Sequence, residues 1–142
     1  MLIKFDGLNI LVDPYLSNSV EELDSSDLVR QVNIPYIPEE LTNIDWVLIT
    51  HDHIDHCDPH TIPKLAIASP NSKFIGPEPV RRLLEKWGIN SKRVFSSPPK
   101  ELLLGNKVSL ISVPCAHPEL TIGMDGMPNF TGWILKIEDK IF

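Results

Sequence analysis

The chain has 142 residues, 42% of them hydrophobic, with 13 basic and 19 acidic side chains and a net charge of −6. That length suits one domain with its own core, and the acidic balance disfavours nucleic acid or an anionic membrane as a partner. No apolar run approaches the roughly 20 residues of a membrane span, residues 1–5 lack a signal-peptide pattern, and Cys57 and Cys115 make no disulfide framework, so a cytoplasmic setting is expected.

Taken in chain order, residues 2–5 and 8–12 are apolar and flank Asp6-Gly7, the signature of a hairpin with a type I′ turn. The second strand ends at Asp13-Pro14, where Asp13 is either a turn residue or an outer partner that orients a ligating imidazole. Residues 17–43 carry charges and prolines without periodicity and read as a long excursion bordering a site, with one short helix near 25–32. Residues 45–50 form a buried strand. Directly after it comes His51-Asp52-His53-Ile54-Asp55-His56, which places four candidate metal ligands, His51, His53, Asp55 and His56, within six positions. Imidazoles crowded this closely gain little by bonding one another, whereas a cation offers each a partner for its lone pair. Imidazole with carboxylate suits Zn, Mn or Fe. Asp52 either faces solvent or caps the turn, and His60 reads as a residue of a helix's first turn.

Asp58-Pro59 marks the start of a helix over 59–68, with Asp58 as its cap. A short strand follows at 73–75. The helix at 78–87 has Val80, Leu83, Leu84 and Trp87 on one side, and Gly88 stops it. Residues 93–95 form another short strand, and 102–104 with 107–113 form a second hairpin around Gly105-Asn106. The loop 114–129 holds His117 and Asp125, the latter a candidate for lining a cleft. The strand 132–137 then leads through a turn at 138–140 into Ile141-Phe142. Trp46 and Trp133 are expected in the core. Cys57 and Cys115 are either buried thiols or zinc ligands. The 13 prolines lie outside the apolar runs and punctuate short elements. The pattern is that of an α/β domain, a mixed sheet with flanking helices.

The histidine cluster, together with Leu11-Val12-Asp13-Pro14, Phe74-Ile75-Gly76-Pro77, Lys86-Trp87-Gly88-Ile89 and Gly123-Met124-Asp125-Gly126-Met127, resembles the metallo-β-lactamase fold superfamily. Within it, these segments look like the L-ascorbate-6-phosphate lactonase-like branch. The resemblance implies an αββα sandwich with one or two divalent ions, zinc or manganese, between the sheets. The implied activity is metal-dependent hydrolysis of a small sugar-derived lactone or ester by activated water. The alternatives are a phosphodiesterase or nuclease on the same scaffold, or a catalytically incomplete fragment. Carried over residue by residue, His51 and His53 belong to a first metal, His117 is its third ligand, and Asp55 and His56 belong to a second. Asp55 also takes the catalytic role of orienting water or passing on its proton. The family's bridging carboxylate and its later histidine find no match here. Residues 1–142 are therefore expected to form the N-terminal part of one domain whose C-terminal half is absent, with at most one well-held metal. One sheet's inner face would then lie open, to be covered by a complementing C-terminal half or a second copy of the chain.

Overall fold

The computed structural model describes residues 1–142. Strands β1 (Leu2–Phe5) and β2 (Leu8–Val12) pair antiparallel. Their turn residues Asp6 and Gly7 have φ of 48° and 79°, the left-handed pair that a type I′ turn requires. Strands β3 (Trp46–Leu48), β4 (Lys73–Gly76) and β5 (Val94–Ser96) then add in parallel, giving a five-stranded mixed sheet in the order β1-β2-β3-β4-β5. Parallel neighbours cannot be joined by a tight turn. Helices α2 (Ile62–Ala68) and α3 (Glu78–Lys86) carry those connections, while a short α1 (Ser19–Leu23) sits in the excursion before β3. A second, antiparallel sheet of four strands follows: β6 (Leu102–Gly105), β7 (Val108–Pro114), β8 (Thr131–Ile137) and β9 (Lys140–Ile141). No helix is long and apolar enough to cross a membrane.

Because strand side chains alternate between faces, the mixed sheet feeds two cores. Leu11, Val47, Ile49 and Phe74 meet Leu65, Val80 and Leu84 of the helices. Ile10, Trp46, Leu48 and Ile75 meet Leu104, Leu110 and Leu135 of the antiparallel sheet. The layers are therefore helices, mixed sheet and antiparallel sheet. Trp46 is buried and its Nε1 donates to the carbonyl of Leu104 at 3.0 Å, so its polar edge bonds the two sheets together. Trp133 packs against the same inter-sheet core while only half-buried.

Three expectations are corrected. The two inner faces cover each other, and the open face is the outer one of the antiparallel sheet. There Leu103, Ile111, Ile134 and Ile141 point away from the core, with Leu103 and Ile141 at 72% and 70% exposure. No helix occupies 25–32; the excursion's helix is α1, and residues 25–32 are turns and extended chain. Helix α2 begins at Ile62 rather than 59, because the carboxylate of Asp58 is committed to the turn before it. Its Oδ1 accepts from the amide of His60 at 2.9 Å and its Oδ2 from the hydroxyl of Thr61. At the other end of α2, Arg93 donates to the carbonyls of Ala66, Ser69 and Ser72, satisfying acceptors the helix end leaves open.

Gly76 ends β4 under α3. A Cβ there would lie 2.7 Å from Cγ1 of Val80 and 3.1 Å from the carbonyl oxygen of Ile49. The backbone therefore approaches the helix too closely for any side chain. Gly76→Ala is expected to lower stability to urea by about 1–3 kcal/mol, with partial recovery in Gly76→Ala/Val80→Ala. An unaltered midpoint in the single variant would contradict the tight packing.

Candidate metal centre

The candidate site lies at the carboxyl ends of β2 and β3. In a parallel arrangement these ends open toward the crevice where ligands bind. Asp13 follows β2 with φ of 42°, a left-handed conformation unusual for a side-chain-bearing residue. From there its Oδ1 accepts from the amide of Thr50 and its Oδ2 from the Thr50 hydroxyl, both at 2.8 Å. Oδ2 also pairs with Nδ1 of His56 at 2.9 Å. Asp13 is thus a turn residue that also holds the ring of His56.

These contacts settle the tautomers. The Thr50 hydroxyl donates to Asp13, so at its other contact it accepts from Nδ1–H of His51, 2.9 Å away. Asp13 likewise receives Nδ1–H of His56. In both rings Nδ1 carries a proton, which leaves the lone pair of neutral His51 on Nε2. The Nε2 of His51 is buried and has no hydrogen-bond partner. An orphaned buried acceptor is costly unless something absent from the protein's own atoms completes it.

His51, His53 and His117 converge: one nitrogen from each lies within 4.8 Å of the others. His117 arrives from the loop after β7, and its ring centre is 5.2 Å from that of His51 and 4.9 Å from that of His53. The antiparallel sheet delivers it there because Thr131, at the start of β8, donates its amide to the carbonyl of Thr50 at 3.0 Å. Next door, Phe130 packs its ring 5.3–5.9 Å from all three imidazoles. Nothing in the linear sequence singles out Phe130; only the strand pairing puts it there. Three mutually close nitrogen donors with a buried free lone pair fit a divalent cation such as zinc.

Asp55 and His56 stand beside this cluster and do not share its centre. The ring of His56 is 4.0 Å from that of His51, and its Nε2 lies 3.4 Å from Oδ2 of Asp55, whose side chain is half exposed. The remaining candidates go elsewhere. Asp52 is exposed. His60 lies before α2 and pairs with Glu22 at 3.2 Å. Asp125 accepts from the amide of Met127, closing its own exposed loop rather than lining the cleft. Cys57 is buried in the helix-side core, and burial pushes its thiol up to about 12, so it stays protonated. Cys115 is half-buried.

Burial lowers the pKa of His51 to about 4, with neighbouring His56 and His53 adding to the effect. The hydrogen bond that His56 donates to Asp13 raises its own pKa. At neutral pH His51 is accordingly a neutral donor.

Residues 8–138 match the family described as a beta-lactamase superfamily domain. An uncharacterized protein of Mycobacterium tuberculosis is 28% identical over 116 residues, which cover 82% of this chain and 31% of that protein. A metal-dependent hydrolase of Aeropyrum pernix is 35% identical over 73 residues, covering 51% of this chain and 24% of its own length. An N-acyl-phosphatidylethanolamine-hydrolyzing phospholipase D of Caenorhabditis elegans is 22% identical over 91 residues, covering 64% and 26%. The chain thus spans less than a third of the length of these curated relatives. Among solved structures, the metallo hydrolase Igni18 of Ignicoccus hospitalis superposes with a TM-score of 0.61 at 18% identity, over 99% of this chain and 53% of that one. The diiron β-hydroxylase CmlA of Streptomyces venezuelae gives 0.63 at 18%, over 99% and 26%. At such identities these structures speak for the fold alone.

In the metal-free chain, NMR titration of the histidine rings should find His51 at about 4 and His56 above the ordinary 6.5. The signs oppose each other in stability. His51 contributes stability above 6.5, and this is lost as pH falls from 6.5 toward 4. The His56–Asp13 pair contributes fully below 6.5 and fades as pH rises through the raised pKa of His56. Asp13→Asn should bring His56 back down; an unmoved His56 would rule out the proposed pairing.

Proposed function

Because the chain belongs to the beta-lactamase superfamily, we propose that it carries the metal centre of a metal-dependent hydrolase, with His51, His53 and His117 as the ligands of a first divalent ion. The observation that carries this reading is the orphaned Nε2 of His51 within the three-imidazole cluster. Nitrogen donors favour zinc, while the adjacent Asp55 carboxylate keeps manganese in play. Such an ion supplies a water whose pKa falls from about 15.7 toward 7, together with polarisation of a carbonyl or phosphoryl oxygen.

The chain's own residues divide the remaining work. Thr50, itself bonded to Asp13, holds His51 with its unpartnered Nε2 free for the centre, so that ligation by His51 needs no tautomer change, and Asp13 fixes the neighbouring His56 ring. Asp55, half in solvent, would orient the attacking water or pass on its proton. Asp55 and Nε2 of His56 offer a second ion only two donors, so one ion per chain binds tightly and any second binds weakly. Buried Cys57 takes no part.

The resemblance of motifs to the lactonase-like branch supports a small lactone or ester, sugar-derived in that branch, as the substrate class. The second reading is a phosphodiester, favoured by the likeness to the C. elegans phospholipase D. The net charge of −6 speaks against nucleic acid. The apolar outer face of the antiparallel sheet supports a further layer, contributed by a complementing C-terminal half or a second copy of the chain.

Calorimetric titration with zinc or manganese should give one tight ion per chain. His117→Ala should weaken it about a hundredfold, and Asp13→Asn about tenfold or more through loss of orientation alone. Two tight ions, or an unaffected His117→Ala, would count against this ligand set. In sedimentation, Leu103→Lys should reduce self-association; a variant that associates as strongly as the parent would exclude that face from the contact.

A further inference from the structure

A cleft of about 790 Å³ opens beside the histidine cluster, with Asp13, His53, Asp55 and His56 along one side. Its other wall comes from the excursion between β2 and β3 and is largely aliphatic, with Val20, Leu23, Leu28 and Val29 beside Tyr15, Asp24 and Arg30. Leu23, Leu28 and Val29 are 58%, 56% and 51% exposed. Three aliphatic side chains held open to water on one wall are unfavourable unless something apolar lies against them.

The wall is also fastened in place. The guanidinium of Arg30 lies over the ring of Tyr15, 3.9 Å from its centre, and donates to the carbonyls of Tyr15 at 3.0 Å and Ser17 at 2.8 Å. The Ser17 hydroxyl donates to buried Asp58 at 2.7 Å, and the amide of Leu16 to the Thr61 hydroxyl at 3.0 Å. Asp58 and Thr61 belong to the turn that directly follows the histidine cluster. The aliphatic wall is therefore tied to the same bend as the candidate ligands, and their separation is preset.

We propose that this cleft seats an aliphatic chain of the substrate, so that the bond cleaved at the metal centre carries an alkyl or acyl group. This names the substrate class of the proposed hydrolase site and rests on that reading. A bare sugar ring would turn hydroxyls toward Leu23, Leu28 and Val29, whose side chains offer no hydrogen-bond partner and would stay in water. An alkyl group removes those side chains from water and leaves the polar end of the ester or phosphodiester at the histidines and Asp55.

The test uses the 142-residue chain loaded with zinc and titrated with straight-chain carboxylates from acetate to decanoate. Leucine and valine methyl signals are followed by NMR and affinity by calorimetry. Affinity should rise about threefold per added methylene until the cleft is filled. Leu28→Asn, at an exposed position, should flatten that dependence while acetate binding and zinc affinity stay unchanged. Affinity independent of chain length would overturn the proposal, as would a dependence that survives both Leu28→Asn and Val29→Asn; either would mean another segment or partner covers the wall. Zinc titration without carboxylate separates the two readings. Zinc held with no chain-length dependence removes the cleft alone. Methyl shifts that follow chain length in a chain that fails to hold zinc remove the metal centre alone.

Discussion

Asp13 occupies a backbone conformation that costs an ordinary residue about 1–2 kcal/mol, and its carboxylate receives the amide and hydroxyl of Thr50 and Nδ1 of His56 in return. Hydrogen bonds to an ionised group are about twice as strong as neutral ones, so three of them hold the strained residue where it is. The consequences spread outward. The end of β2 is bonded to the end of β3, the bend after β3 takes one course, and two imidazoles are each held through Nδ1. Strain of this sort tends to gather at functional sites.

The second sheet completes what the first begins. Its hydrophobic inner face brings β7 and β8 across the mixed sheet, with Trp46 bonded to Leu104 and Thr131 bonded to Thr50. These contacts set the height at which the loop after β7 meets the bend after β3. His117 and Phe130 reach the cluster from there. Packing between sheets thus controls chemistry at their edge: a shift of β8 along β7 would carry Phe130 away from His117 and break the bond from Thr131 to Thr50.

The excursion between β2 and β3 follows another logic. It has little helix and no heptad-like pattern, yet it is well held, because Arg30 bonds the carbonyls of Tyr15 and Ser17 while Ser17 and Leu16 bond Asp58 and Thr61 beside the histidine bend. Its exposed aliphatics and the polar cluster opposite make a cleft with two different walls. Acidic charge elsewhere on the chain leaves Arg30 as a strut for that wall, its Nε and Nη2 donors taken up by backbone carbonyls.

Local chemistry was legible from the chain itself. Asp6-Gly7 announced its hairpin because the turn's φ values depend on two residues. The spacing of Val80, Leu83, Leu84 and Trp87 announced α3, and the crowding of His51, His53, Asp55 and His56 announced a site for a cation. The helix expected at 25–32 failed because that stretch lacks periodicity and is held by carbonyls thirteen to fifteen positions earlier in the chain. The start of α2 was misjudged by one turn, because Asp58 caps the amide of His60 in a turn over 59–61 and the helix itself begins only at Ile62. Which of the candidate ligands share a centre, that Phe130 lies against them, and which sheet face stays open were decided by tertiary structure alone. Those relations join residues dozens of positions apart, and they exist only once burial of two apolar sheet faces has chosen the register in which the strands meet.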